Sequence, residues 1–210
     1  MKKKCLAILS GAILSFLSSC DNGTSSNDDE ITSLNDSRDG QVYDVVKIGN
    51  QVWMAKNLNY EIPVAAGETP RSYCYDNRED YCQQYGRLYT WDDAKTICPQ
   101  GWHLPDTTEW NKLFDFAGGQ LIAGEKLKAT NTAWNNNGYG TDEFGFGALP
   151  GGFNKSATSF YDLGQYGNFW TTASSNSTSA YHVTVFYNKK SADYITDSQS
   201  FGLSVRCIKN

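Results

Sequence analysis

The sequence predicts an α+β domain dominated by antiparallel strands. Runs of β-branched and aromatic residues stand at both ends of the region after residue 39, and two short stretches with helical spacing and capping residues lie between them. A long Gly-, Asn- and ring-rich segment without a lasting period separates the second helix from the final strands. A chain of 210 residues has room for one compact domain and short appendages. Its 10 Phe, 6 Trp and 13 Tyr exclude a disordered polypeptide, which lacks rings able to bury area. The formal charge of −5 excludes nucleic acid as partner, because neutralising phosphates takes clustered Lys and Arg.

The amino terminus predicts export. Lys2, Lys3 and Lys4 precede an apolar run over residues 5–17, too short for a bilayer core that needs ~20 apolar residues. Leu17-Ser18-Ser19-Cys20 resembles the bacterial lipobox. That resemblance implies a leader over residues 1–19 that is removed and a mature chain that starts at Cys20, the lipidation site, whose acyl chains hold the protein on a membrane at ~0.8 kcal/mol per buried methylene. The expected location is the bacterial cell envelope, at the outer membrane or cell surface rather than the inner membrane. Residues 20–38 are Ser, Thr, Asn and Asp with few larger apolar groups, a flexible tether reaching roughly 20–25 Å. Loss of the three leader lysines takes the formal charge from −5 to −8, so lipid rather than charge must hold the protein at an anionic surface.

The domain proper spans residues 39–210. After Asp39-Gly40, residues 41–48 and 51–58 flank the Gly49-Asn50 turn and predict a hairpin. Residues 60–84 lack a period and read as a loop. Thr90 and Asp93 cap a first helix with Trp91, Ala94 and Ile97 or Cys98 on one face, ended by Pro99. Asp106 and Glu109 open a second, with Trp110, Leu113, Phe114 and Ala117 at i, i+3, i+4 and i+7, ended by Gly118-Gly119. Residues 120–167 read as a long irregular region, and strands are predicted at 169–172, 180–187 and 202–208.

Cys74, Cys82, Cys98 and Cys207 remain in the exported domain, where disulfides are permitted, and four cysteines allow three pairings. The expected pairing among the three is a local Cys74–Cys82 loop with a long Cys98–Cys207 link. The absence of any C-x-x-C pair argues against a zinc site.

Residues 86–110, GRLYTWDDAKTICPQGWHLPDTTEW, resemble the Fibrobacter succinogenes major paralogous domain. So do Gln41-Val-Tyr, residues 48–59 (IGNQVWMAKNLN), residues 144–152 (FGFGALPGG), Phe169-Trp-Thr-Thr and Ser204-Val-Arg-Cys, all in that family's order. The central run is also similar to the C-type lectin-like fold. That likeness implies two helices packed on an antiparallel sheet, a long loop region, and a disulfide from the first helix to the last strand, which Cys98 and Cys207 match. The paralogous family itself implies no activity.

The sequence carries few groups arranged for chemistry. The Glu-Pro-Asn, Gln-Pro-Asp and Trp-Asn-Asp motifs of calcium-dependent lectins are missing, and Asp142-Glu143 is read as a solvated pair. Residues 104–110 are similar to a helix start of the formylglycine-generating enzymes, but no cysteine lies between Cys98 and Cys207 to help hold their copper(I). His103 and His182 read as structural, and Asp92, Asp93, Asp106 and Glu109 as helix-start carboxylates rather than a glycosidase pair. No catalytic residue, metal or cofactor is expected. Trp134, Tyr139, Tyr161 and Tyr166 in the long loop are the candidate ligand contacts, because rings with a polar edge suit sugar faces and protein partners. The expected function is a non-catalytic, lipid-anchored binding module for polysaccharide or a surface protein, with an enzyme of unfamiliar site or a structural envelope component as alternatives.

Overall fold

The computed structural model describes residues 32–210. The predicted leader, the Cys20 lipidation site and most of the tether lie outside the described residues. In chain order the elements are β1 (Ser33–Asn35), β2 (Val42–Ile48), β3 (Gln51–Met54), β4 (Ser72–Tyr73), α1 (Glu79–Tyr85), β5 (Leu88–Tyr89), α2 (Trp91–Ala94), β6 (Trp102–His103), α3 (Thr107–Phe116) and α4 (Gln120–Leu127). Then follow β7 (Phe153–Ser156), β8 (Ser159–Tyr161), β9 (Tyr166–Ser174), β10 (Ser179–Phe186), β11 (Ala192–Ser198), β12 (Leu203–Ser204) and β13 (Ile208–Lys209).

The fold is mixed α+β. One sheet has the order β1-β2-β3-β13-β6, a second β11-β10-β9-β12-β5-β4, and β7-β8 is a separate hairpin. Pairing between the strands is antiparallel apart from the β12–β9 contact at Ser204 and Phe169, and isolated parallel bridges join Lys128 to Ala148 and Gly152 to Gly167. The Gly49-Asn50 turn joins β2 to β3 as the sequence predicts, with Ile48 opposite Gln51.

Side chains on a strand point alternately to its two faces, and β9 buries both. Phe169 enters a cluster with Trp53, Trp110, Phe114 and Phe146, while its neighbour Trp170 enters a second with Met54, Tyr89, Trp91 and Leu203. The same split separates Trp53 from Met54 on β3. Trp53 and Trp110 lie 4.9 Å apart between ring centroids, a pair worth about 0.5–1.5 kcal/mol beyond its buried area.

Helix α3 starts as predicted. The Asp106 carboxylate accepts from the Glu109 N–H at 2.8 Å and the Glu109 carboxylate accepts from the Asp106 N–H at 2.9 Å. Its predicted inward face of Trp110, Leu113 and Phe114 is buried.

Four features differ from expectation. The tether predicted to reach residue 38 ends earlier, because Ser33, Leu34 and Asn35 pair with Asp44, Tyr43 and Val42, and Leu34, set among polar residues, is buried in the second cluster. Asp36 is also buried and holds Arg38 at 2.6 Å. The stapled loop contains α1, which carries Cys82. The irregular region contains α4 and the β7-β8 hairpin, so four α-helices, not two, occur among the described residues. Gly124 in α4 masks the helical pattern for a packing reason: a Cβ there would lie 2.1 Å from the Ser191 carbonyl oxygen. Finally, β11 is a half-exposed edge strand whose Asp193, Thr196, Asp197 and Ser198 hide it from a hydrophobic pattern, yet it pairs with β10 along its whole length.

Both disulfides of the expected pairing are present. Cys74–Cys82 closes a separation of 8 residues and Cys98–Cys207 one of 109. The long link joins the segment after α2 to the residue just before β13, tying the second sheet's helical flank to the first sheet.

Candidate functional site

The four aromatic candidates do not form one site. Trp134 is 2% exposed, sits in the first core cluster, and donates its indole N–H to the Ala148 carbonyl at 3.3 Å. A ligand cannot reach it, so it is not a contact: the ring packs in the core, with the Lys128 ammonium 5.4 Å from its centroid. Tyr139 is 50% exposed but stands alone. Tyr166 is half-buried against Phe186, with ring centroids 5.2 Å apart.

Tyr161 is different. It is 43% exposed, and on the β7-β8 hairpin it lies directly opposite Phe153. Their rings stack at 5.4 Å with 26° between planes, and Phe153 stacks on Phe201 at 5.8 Å and 28°. Lys155, at the register shift between Asn154 and Ser156, carries its ammonium 4.9 Å from the Tyr161 ring and 5.5 Å from Phe201. Three near-parallel rings under one lysine form a contiguous, partly exposed surface. Phe153, Lys155 and Phe201 escaped sequence reasoning as contacts. The alternation Phe153-Asn154-Lys155 is too short to signal a strand, and nothing in the sequence ties residue 201 to residue 153.

Each histidine has a carboxylate within reach. His103 Nε2 meets Glu109 at 2.8 Å and its Nδ1 meets the Asn210 side chain at 2.6 Å, so the ring bridges α3 to the carboxyl-terminal strand. His182 is buried, with Asp197 at 3.0 Å on one nitrogen and Thr184 Oγ1 at 3.1 Å on the other. The order Asp-His-Thr has the outline of a nucleophile relay, which requires the hydroxyl to give its proton to the imidazole. Here the Thr184 hydroxyl donates to Asn168 Oδ1 at 2.8 Å, and Thr184 is itself 2% exposed. Three clefts on the described surface leave both histidines out.

The remaining carboxylates serve the fold. Asp106 and Glu109 cap α3, Asp93 pairs with Arg71, Asp92 with Lys95, and Glu143 with Lys126. Asp142 accepts from the Gly147 N–H at 2.8 Å; burial raises its pKa, against the pull of that hydrogen bond and of Arg206. Among the described residues the one grouping with metal-ligand spacing is Cys74, Glu79 and Cys82, whose sulfurs are joined in a disulfide.

Arg206 is fully buried, and its guanidinium reaches two separate stretches of chain. It donates to Asn57 Oδ1 at 2.8 and 3.1 Å, to the Met54 carbonyl at 3.0 Å, to the Gly147 carbonyl at 3.3 Å and to the Phe146 carbonyl. The Phe146 ring lies 4.4 Å from the guanidinium carbon. Burial lowers the pKa of Arg206, with Asp142 opposing. Each stretch it touches is one of the sequence blocks singled out above, residues 48–59 and 144–152, and Arg206 belongs to a third, so the blocks converge on one buried cation. A model of the Fibrobacter succinogenes major domain matches residues 46–209. The chain belongs to this family.

In this Fibrobacter succinogenes major domain three of the blocks thus meet at Arg206, and the hairpin face with Tyr161 lies outside them. No curated protein and no solved structure matches the chain.

Proposed function

We propose that this protein is a lipid-anchored component of a bacterial cell envelope, at the outer membrane or cell surface, that displays a non-catalytic binding module of C-type lectin-like architecture and holds polysaccharide on the β7-β8 hairpin face. The observation that carries the reading is the Tyr161–Phe153–Phe201 stack beneath Lys155. Aromatic faces bind the C–H faces of sugar rings, and an ammonium beside them donates to hydroxyls or acidic groups. The lectin-like reading is supported by the link from the segment after α2 to the residue before the last strand and by β1 and β13, the first and last described strands, sharing one sheet. The lack of catalysis is supported by two histidines whose ring nitrogens are engaged with the fold.

Retention of the full chain, solubilised in detergent, on insoluble glucans and xylans tests the function. Wild-type protein is retained, and the Tyr161→Ala/Phe201→Ala variant passes through. The anchor is tested alongside, since Cys20→Ala moves the protein out of the membrane fraction. A surface protein as ligand is the second reading, favoured by the exposed corner of Phe116, Leu121 and Ile122; retention on no polysaccharide directs attention there.

A further inference from the structure

Resting on the reading that Cys20 is lipidated, we infer that the exposed apolar corner of Phe116, Leu121 and Ile122 is a second membrane contact. It inserts into the lipid surface that holds the protein's own anchor and sets the domain's orientation there.

The corner forms where two helices meet the β2–β3 turn. Phe116 ends α3, Leu121 and Ile122 lie in the first turn of α4, and Gly118-Gly119 joins the two helices. The Phe116 ring covers Gly49, where a Cβ would lie 3.0 Å from it, and meets Phe144 at 5.2 Å between centroids. Leu121 is 82% exposed, the most of any large apolar side chain among the described residues. Such a projection needs no matching pocket, so a fluid apolar phase receives it. The cleft beside Phe116, about 370 Å³, is lined by Ile48, Gly49, Asn50, Gln51, Lys112 and Phe116, with no carboxylate. Lys112 stands one turn before Phe116, placed for its stem to cover apolar surface and its ammonium to meet lipid phosphates. Lys126, beside Phe144, is paired with Glu143, and the exposed Asp115 offsets Lys112, so the corner does not demand anionic lipid.

The place where the chain leaves the domain says what covers the corner. β1 runs antiparallel to β2 with Ser33 opposite Asp44, and the Thr32 carbonyl accepts from the Val45 N–H at 3.2 Å. Followed toward its amino terminus, the chain therefore departs in the direction of Ile48 and the Gly49-Asn50 turn, the end that carries the corner. Residues 21–31 link Cys20 to Thr32, and a coil of that length spans roughly 17–20 Å. A domain of this size is about 40 Å across, so the anchor keeps the exit end beside the bilayer and the opposite end away from it. Tethering also makes the contact intramolecular, at an effective concentration of about millimolar, where three side chains too few to bind from solution suffice.

The test places a nitroxide at Leu121→Cys or at Val42→Cys in the full-length protein, purified from membranes and reconstituted on phosphatidylcholine vesicles. The four domain cysteines are paired and do not take the label. Val42 is 61% exposed and lies at the other end of β2 from Ile48, about 20 Å away. The label at 121 collides with oxygen in preference to a water-soluble nickel chelate, at a depth of about 5–10 Å into the headgroup and acyl boundary, and the label at 42 shows the reverse. A label at Phe116→Cys behaves as the one at 121, and adding Leu121→Glu restores its access to the chelate; this second site serves if the first label disturbs the fold. Equal chelate access at 121 and 42, on protein that floats with the vesicles, overturns the inference, keeps the anchor and leaves the corner to a protein partner. Protein that does not float overturns both. Protein that floats with no acyl group by mass spectrometry, its label at 121 shielded, upholds the membrane contact and removes the anchor.

Discussion

Arg206 donates through both Nε and Nη2 to a single oxygen of Asn57, 149 residues away in sequence. Asn57 in turn donates to the Tyr85 carbonyl at 2.8 Å, so one amide couples the β12–β13 connection, the segment after β3 and the end of α1. A buried cation with no carboxylate in hydrogen-bond reach is tolerated because its donors meet fixed oxygens, its face meets Phe146 and the Asp142 charge lies near enough to favour it.

Replacing Arg206 by Ala strands the Asn57, Met54, Phe146 and Gly147 oxygens together, and a loss of more than about 3 kcal/mol is expected. Arg206→Lys recovers little of it, since a point ammonium cannot span acceptors arranged around a planar fork. Urea unfolding of both variants with the disulfides intact measures the loss. A cost below about 1 kcal/mol would contradict the role assigned to Arg206.

The two disulfides should differ in worth. In the chain-entropy view a longer closed loop removes more denatured-state freedom, and separations of 109 and 8 residues differ by about 2 kcal/mol. The Cys98→Ser/Cys207→Ser variant therefore loses more stability than Cys74→Ser/Cys82→Ser, with thermal midpoints as the readout. Equal losses would mean that local contacts of α1 outweigh the entropy term.

Stability should fall on the alkaline side. Burial raises the pKa of Tyr43 to about 12 and also raises those of Tyr89 and Tyr194. A folded pKa above the unfolded value near 10 means that the native state keeps protons the unfolded chain releases. The stabilisation is complete below pH ~10 and declines as pH rises from there toward the folded values, by up to about 1.4 kcal/mol per tyrosine per pH unit. Absorbance at the tyrosinate band, followed with circular dichroism, should show a group of tyrosines ionising only as the fold is lost. Free titration of all tyrosines in the folded state would refute this.

Trp134 and Tyr161 should behave oppositely when cut to Ala. The buried indole costs about 3–5 kcal/mol of stability, as large core truncations do. The exposed phenol stays within about 1 kcal/mol of wild type and affects retention on polysaccharide instead. Comparing unfolding free energies for the pair checks the assignment of one ring to the core and the other to the surface.

The legible parts of the fold were those in which one local pattern decides the structure. The capping pair Asp106 and Glu109, the Gly49-Asn50 hairpin, and the β-branched run of β10 each announce an element within a few residues. The elements that stayed hidden depend on distant partners. Ser33–Asn35 is a strand because Tyr43 and Leu34 share a buried face, α4 carries a glycine dictated by residue 191, and β11 is polar because it lies at an edge. The candidate site follows the same rule. Tyr161 was visible as an aromatic in a loop, but its value comes from Phe201, 40 residues later, and from Lys155, which stands at an irregularity of the β7-β8 pairing that no local pattern announces. Trp134 looked equivalent in sequence, and only packing tells the two apart.

The most direct test of a binding module without a reaction centre is hydrogen exchange on the full-length protein, in detergent, with and without soluble β-glucan fragments. Protection confined to residues 153–161 and 199–202, with the glucan recovered unshortened, is the predicted result. Protection centred on His103 or His182, or fragments cleaved during the incubation, would contradict the account.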